Sequence, residues 1–183
     1  MVDVVPMTVA STAIDGLLAI TTKAVTDDRG TVREFFRTSG FAQAGVPVPP
    51  KWEQVNMTWT LRGALRGLHG EAMTKLVGIA AGEAYGAYVD ARRGSATYGA
   101  VVSLPLAVGT QLLVPAGVLN GFQAVTDCQY VYCFDAEWTP GMAGVACTPL
   151  DPALRIAWPL PIDRDDPAQI SAKDAAAPLF ADL

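Results

Sequence analysis

Leu76-Val77-Gly78-Ile79-Ala80-Ala81-Gly82-Glu83-Ala84-Tyr85-Gly86-Ala87-Tyr88-Val89-Asp90 decides the class of fold. Two apolar runs, Leu76 to Ala80 and Ala84 to Asp90, flank Ala81-Gly82-Glu83, a triplet whose glycine suits a tight turn. Neither run keeps helical spacing, and both carry the Val, Ile and Tyr that strands favour, so the stretch reads as strand, turn, strand. Working outward, Ala100-Val101-Val102-Ser103-Leu104, Gln111-Leu112-Leu113-Val114 and Gln129-Tyr130-Val131-Tyr132-Cys133-Phe134 read as further strands. Asp28-Arg29-Gly30, Arg92-Arg93-Gly94-Ser95 and Pro115-Ala116-Gly117 read as turns. Short strands at this spacing, from residue 17 to about 160, predict an all-β sandwich or closed barrel. Helix is confined to the periphery. Glu34 to Ala44 suits a short helix stopped by Gly45 and the Pro47 to Pro50 cluster, and Ser171-Ala172-Lys173-Asp174 reads as a helix N-cap. No repeat and no long linker divides the chain, so residues 1–183 are expected to form one domain with its core at about 17–160.

Composition narrows the function. At 51% apolar and 17% charged residues with a net charge of -5, the chain fits neither a disordered segment nor a nucleic-acid binder. A phosphorylated small molecule stays possible, because a few placed arginines bind phosphates whatever the global charge. Cys128, Cys133 and Cys147 have no C-x-x-C spacing and are expected to be buried, reduced thiols. With one histidine in the chain, a zinc site or a metal-dependent cupin centre is not expected. The N-terminus lacks the pattern of a signal peptide and no stretch is apolar enough to span a bilayer, so the expected location is the cytoplasm. No Gly-rich loop follows a strand in the manner of a nicotinamide site.

The lone histidine, His69, lies in Arg66-Gly67-Leu68-His69-Gly70, with Glu71 next but one and Lys75 six residues on. Imidazole is the side chain whose ordinary pKa lies closest to neutrality, which makes His69 the first candidate for proton transfer. With His69 and Lys75 on inner faces of strands, a barrel interior would hold a base and a cation around one substrate. That pairing suits removal of a proton next to a carbonyl, with the cation on the enolate oxygen and a phenol returning a proton from the opposite face. Spacing alone leaves the plainer readings open: a satisfied core histidine, an edge lysine, an ordinary sheet tyrosine.

The local strings go further. Asp28-Arg29-Gly30, Arg33-Glu34-Phe35, Gln54-Val55-Asn56, Leu65-Arg66-Gly67-Leu68-His69, Lys75-Leu76-Val77, Val89-Asp90-Ala91-Arg92, Ser95-Ala96-Thr97-Tyr98-Gly99, Val114-Pro115-Ala116-Gly117, Gly121-Phe122, Asp151-Pro152, Ile156-Ala157-Trp158-Pro159 and Ser171-Ala172-Lys173-Asp174 occur in this order. Together they resemble the dTDP-4-dehydrorhamnose 3,5-epimerase family over nearly the whole chain. The resemblance implies a cupin-like jelly roll (double-stranded β-helix) with short peripheral helices and a tail, residues 161–183, that closes the site. It implies a homodimer that acts, without metal or organic cofactor, on a nucleotide-linked 4-keto-6-deoxyhexose, the nucleotide being dTDP. By similarity His69 is the base, Asp174 its carboxylate partner, Lys75 the cation near the C4 oxygen and Tyr132 the phenol that supplies the opposite proton. Arg66, Gln54 and Asn56 correspond to substrate contacts, and Arg29 and Glu34 to nucleotide contacts made across the dimer interface.

The chain departs from the pattern at three places. Leu119-Asn120-Gly121-Phe122 has asparagine where the family has a second histidine, Glu71 replaces a glutamine, and the segment between His69 and Lys75 is short. Asn120 donates and accepts hydrogen bonds but exchanges no proton near neutrality, and a carboxylate at Glu71 changes which sugar groups are welcome. These changes mark a divergent branch and leave inversion at C3, at C5 or at both open. The alternative from another class is a non-catalytic cupin that binds a nucleotide sugar or partners a 4-ketoreductase.

Overall fold

The computed structural model describes residues 2–183. Its strands, in chain order, are β1 (Asp3–Val5), β2 (Thr8–Ser11), β3 (Leu18–Thr21), β4 (Ala24–Asp27), β5 (Gly30–Arg33), β6 (Gln54–Thr60) and β7 (Leu65–Glu71), followed by β8 (Lys75–Ala81), β9 (Glu83–Asp90), β10 (Val101–Ala107), β11 (Thr110–Val114), β12 (Val118–Ala124), β13 (Cys128–Phe134) and β14 (Gly144–Ala146). Two short helices accompany them, α1 (Thr38–Gln43) and α2 (Ala172–Ala175). A six-stranded sheet of order β2-β3-β11-β8-β13-β6 faces a five-stranded sheet of order β10-β9-β12-β7-β14, and β1-β4-β5 form a separate small sheet. All the strand pairings are antiparallel, and the architecture is the cupin-like jelly roll.

The core between the sheets explains why the deciding stretch reads as it does. Val77 and Ile79 of β8, Leu112 of β11 and Tyr130 of β13 meet Tyr88 of β9 and Phe122 of β12, all fully or nearly fully buried. The Phe122 and Tyr130 rings stack with centroids 4.1 Å apart and tie the two sheets together. Parts of the outer faces are covered as well. Leu68, Val89 and Leu119 pack beneath Leu154 and Trp158 of the C-terminal segment, while Leu76, Leu113 and Cys133 pack beneath Phe41, Val46 and Trp52. A strand buried on both faces has no use for alternation, so Leu76 to Ile79 and the whole of β12 are buried without a break. Each such Leu, Ile or Phe contributes roughly 1.5–3 kcal/mol through burial.

The predicted turns at Asp28-Arg29-Gly30, Ala81-Gly82-Glu83 and Pro115-Ala116-Gly117 join β4 to β5, β8 to β9 and β11 to β12. The strand expected at Ala100 begins one residue later and runs through Pro105 to Ala107. Proline is tolerated there because β10 is an edge strand. The helix expected over Glu34 to Ala44 forms only from Thr38 to Gln43, with no side-chain cap at Arg37 and a glycine, Gly40, inside it. Ser171 caps α2 as its position suggests, accepting from the Asp174 amide. The three cysteines are buried and free, and burial pushes each thiol up to about 11. Among the described residues no helix is long and apolar enough to cross a membrane.

Candidate active site

A cleft of about 750 Å³ opens at one end of the sandwich, between β6, β8 and β13 of one sheet and β7, β12 and β14 of the other. His69, Glu71 and Arg66 reach it from β7, Lys75 from β8, Asn120 from β12, Tyr132 from β13 and Asn56 from β6. The tail supplies Asp174. Its backbone pairs with β7 through Leu65 and Ile170, and Ser171 then turns the chain into α2, which sets Asp174 against His69.

Strand alternation would put Arg66 and His69, three residues apart, on opposite faces of β7. A β-bulge brings them together. Asn120 lies opposite His69, but Phe122 lies opposite Arg66, so β7 carries one residue more than β12 between those pairs. Gly67 makes this possible: its φ is +115°, and a Cβ there would sit 2.6 Å from the Gly121 Cα.

His69 Nε2 lies 2.8 Å from Asp174 Oδ1, and the Gly67 amide donates to Oδ2 at 3.3 Å. Burial by itself would raise the Asp174 carboxyl, but the imidazole and the Gly67 N–H hold it below the ordinary carboxylate range. An ionised partner fixes the tautomer: Nε2 carries the hydrogen and Nδ1 the lone pair. Among the described residues Nδ1 has no hydrogen-bond partner, and the ring is 38% exposed to the cleft. Geometrically, the arrangement leaves Nδ1 able to accept a proton from a molecule in the cleft.

Beside the dyad lies a buried cluster. The Lys75 ammonium donates to the Glu71 carboxylate, to Asn120 Oδ1 at 2.7 Å and to the His69 carbonyl at 3.3 Å. Burial pulls the Lys75 pKa down and Glu71 only partly offsets it; Glu71 in turn, which burial would raise, is held low by Lys75. Tyr132 packs between Tyr130 and Phe134, and burial drives its phenol well above the ordinary value despite nearby Arg66. It stays protonated, as a proton donor must. Arg66 is anchored through Nε to Thr60 Oγ1 at 3.0 Å, leaving the rest of its guanidinium toward the cleft, where Lys173 adds a second cation.

Three expected site residues stand outside the cleft. Gln54, at the start of β6, bonds Asn56 and the Trp138 amide beside the cleft. Arg29 lies in the β4–β5 turn paired with Asp27, and Glu34 pairs with Lys23 and Arg37 beside a smaller cavity. Conversely, Lys173, Thr60 and Gly67 belong to the site without having been picked out as members of it. Lys173 adjoins a motif acid, and the only signal for the bulge is the glycine next to Arg66.

The family model described as dTDP-4-dehydrorhamnose 3,5-epimerase matches residues 11–182. The dTDP-4-dehydrorhamnose 3,5-epimerase of Pseudomonas aeruginosa is 34% identical over 177 residues, covering 93% of this chain and 94% of its own. A dTDP-4-dehydro-6-deoxyglucose 3-epimerase of Streptomyces bikiniensis is 35% identical over 165 residues, covering 85% and 80%. Among solved structures, a 4-keto-6-deoxy sugar epimerase from the novobiocin biosynthetic gene cluster of Streptomyces spheroides superposes with a TM-score of 0.86 at 28% identity, covering 97% and 92%. The Legionella pneumophila 3,5-epimerase, in complex with dTDP-4-keto-L-rhamnose, gives 0.84 at 32%, covering 96% and 93%. With a family match across most of its length and His69, Asp174 and Tyr132 gathered in one cleft, this chain belongs to the dTDP-4-dehydrorhamnose 3,5-epimerase family.

Proposed function

We propose that this chain is an epimerase of a dTDP-linked 4-keto-6-deoxyhexose, inverting C3, C5 or both through an enolate. The observation that carries the reading is the His69–Asp174 pair, a base with its lone pair toward the cleft. In such a sugar the C4 ketone acidifies the C–H bonds on both neighbouring carbons. The ketone is the electron sink, so the chemistry calls for no cofactor. His69 removes a proton, the resulting imidazolium is stabilised by Asp174, and protonated Tyr132 returns a proton to the other face. Arg66 and Lys173 suit the diphosphate, and Asn56 a sugar hydroxyl.

The active form on this reading is a homodimer. Val55, Met57 and Trp59 alternate along the outward face of β6, an edge strand, each about 60% exposed. Val32 on β5 is 74% exposed. Exposed apolar edges of this kind are pairing surfaces, and a second copy seated there would bring in Arg29 and Glu34, which are far from their own cleft. Three reduced thiols support a cytoplasmic location.

The test is proton NMR of dTDP-4-dehydro-6-deoxyglucose with the protein in deuterated water, following C3 and C5 separately. Loss of one or both signals is expected and identifies the positions. Binding without loss of either signal would replace this reading with that of a nucleotide-sugar-binding protein.

A further inference from the structure

Lys75 is 4% exposed and has three N–H groups, each with an acceptor already at hand: the Glu71 carboxylate, Asn120 Oδ1 and the His69 carbonyl. With all three engaged, no N–H is left to meet a substrate. An ammonium only donates, so the Asn120 atom 2.7 Å from it is the amide oxygen, and the orientation of that amide is thereby fixed. Its Nδ2, with two N–H donors, is turned the other way. Among the described residues no protein acceptor pairs with Nδ2, although Asn120 is 5% exposed and lines the cleft. Asn120 also lies directly opposite His69 in the sheet, which puts the amide beside the base.

We propose that Asn120 is the donor that meets the ketone oxygen of the sugar, with Lys75 a positioning residue that aims the amide and Glu71 the acceptor that ties the ammonium in place. The inference rests on the epimerase reading. His69 Nδ1 takes the proton from carbon, the C–H electron pair becomes the C=C bond of the enolate as the C=O π pair moves onto oxygen, and the Asn120 N–H groups hydrogen-bond the enolate oxygen so formed. Reprotonation at carbon by the imidazolium or by Tyr132 restores the carbonyl; where Tyr132 is the donor, water takes the proton from the imidazolium and returns one to the phenolate. A fixed neutral amide is suited to this work because it needs no reorganisation as the charge develops. The asparagine that ends one kind of acid-base help supplies a different kind of catalysis.

The decisive variant is Asn120→Asp. It keeps the oxygen facing Lys75 and replaces the NH2 with a second acceptor, so anchoring is preserved and donation is lost. Loss of a single oxyanion donor costs about 10²–10³-fold, and a fall of that size is expected in deuterium exchange into dTDP-4-dehydro-6-deoxyglucose. Asn120→Ala should fall equally. Lys75→Met added to Asn120→Ala should lower the rate little further, because Lys75 acts through the amide. Exchange at the rate of the unaltered chain in Asn120→Asp, with loss only in Asn120→Ala, would reduce Asn120 to an anchor for Lys75 and overturn the proposal. Multiplicative losses in the double variant would overturn it too, by showing that Lys75 touches the sugar directly. If the unaltered chain shows no exchange, the epimerase reading falls and this inference falls with it.

Discussion

Two buried carboxylates, Asp90 and Asp174, each face a nitrogen base, and they do opposite things. Asp90 is fully buried at the end of β9 and accepts from the Arg92 guanidinium, the Arg92 amide, Ser95 and Thr97. Burial would raise its carboxyl, yet these donors hold it far below the ordinary range, and its partner cannot give up a proton. Asp174 has fewer donors and an imidazole for its partner, with the far nitrogen of that ring toward the cleft. A saturated carboxylate with a permanent cation fixes the Arg92–Thr97 turn. On the proposed reading, a less saturated one beside imidazole lets a proton arrive and leave.

The largest effect should come from removing the charge on the working side. Asp174→Asn keeps the shape but offers imidazole an amide, and by analogy with other oriented histidines the loss is about 10³–10⁴-fold in exchange rate. Circular dichroism should show an unchanged fold. Asp90→Asn should reverse the pattern: thermal unfolding is expected to show a loss of about 2–3 kcal/mol, because an amide brings new donors into a ring of donors, while the folded protein exchanges normally.

Acid sharpens the contrast. The folded Asp90 carboxyl lies below its ordinary 3.8, so its contribution is fully present above that value and fades as pH falls from there toward the lower folded value. Denaturant unfolding of the unaltered chain and Asp90→Asn should therefore differ by a constant amount above about pH 5 and converge below about pH 4.

Tyr132→Phe should leave proton removal intact while lowering inversion at C5 by about 10²-fold, seen as deuterium uptake that outruns the change of configuration. The smallest effect is expected at Thr60→Ala, which frees Arg66 from its anchor. One hydrogen bond is worth about 1 kcal/mol, so KM should rise about fivefold with kcat unchanged.

How far the sequence could be read depended on burial. Strands covered on both faces, such as β8, β9 and β13, announce themselves as continuous apolar runs. The strands that build the cleft do not. Leu65-Arg66-Gly67-Leu68-His69-Gly70-Glu71 mixes charge and glycine because one side faces the cleft and the bulge needs a residue without Cβ. The family strings point to His69, Asp174, Lys75 and Tyr132, and all four line one cleft, although the first two are 105 residues apart in the chain. What no spacing could show is that Lys75 would be saturated by Glu71, Asn120 and the His69 carbonyl, since that depends on the short connection by which the chain crosses from β7 in one sheet to β8 in the other and on the register of β12. Arg29 and Glu34 match the family strings yet lie outside the cleft, because local pattern says nothing about where the fold carries a turn or a strand end.

The central claim is that His69 is the base, and the most direct test is the mass of dTDP-4-dehydro-6-deoxyglucose recovered from deuterated water after incubation with His69→Ala. The account predicts no deuterium beyond that taken up in buffer alone, against one or two atoms with the unaltered chain. Uptake by His69→Ala at the rate of the unaltered chain would contradict it and move the base elsewhere in the cleft.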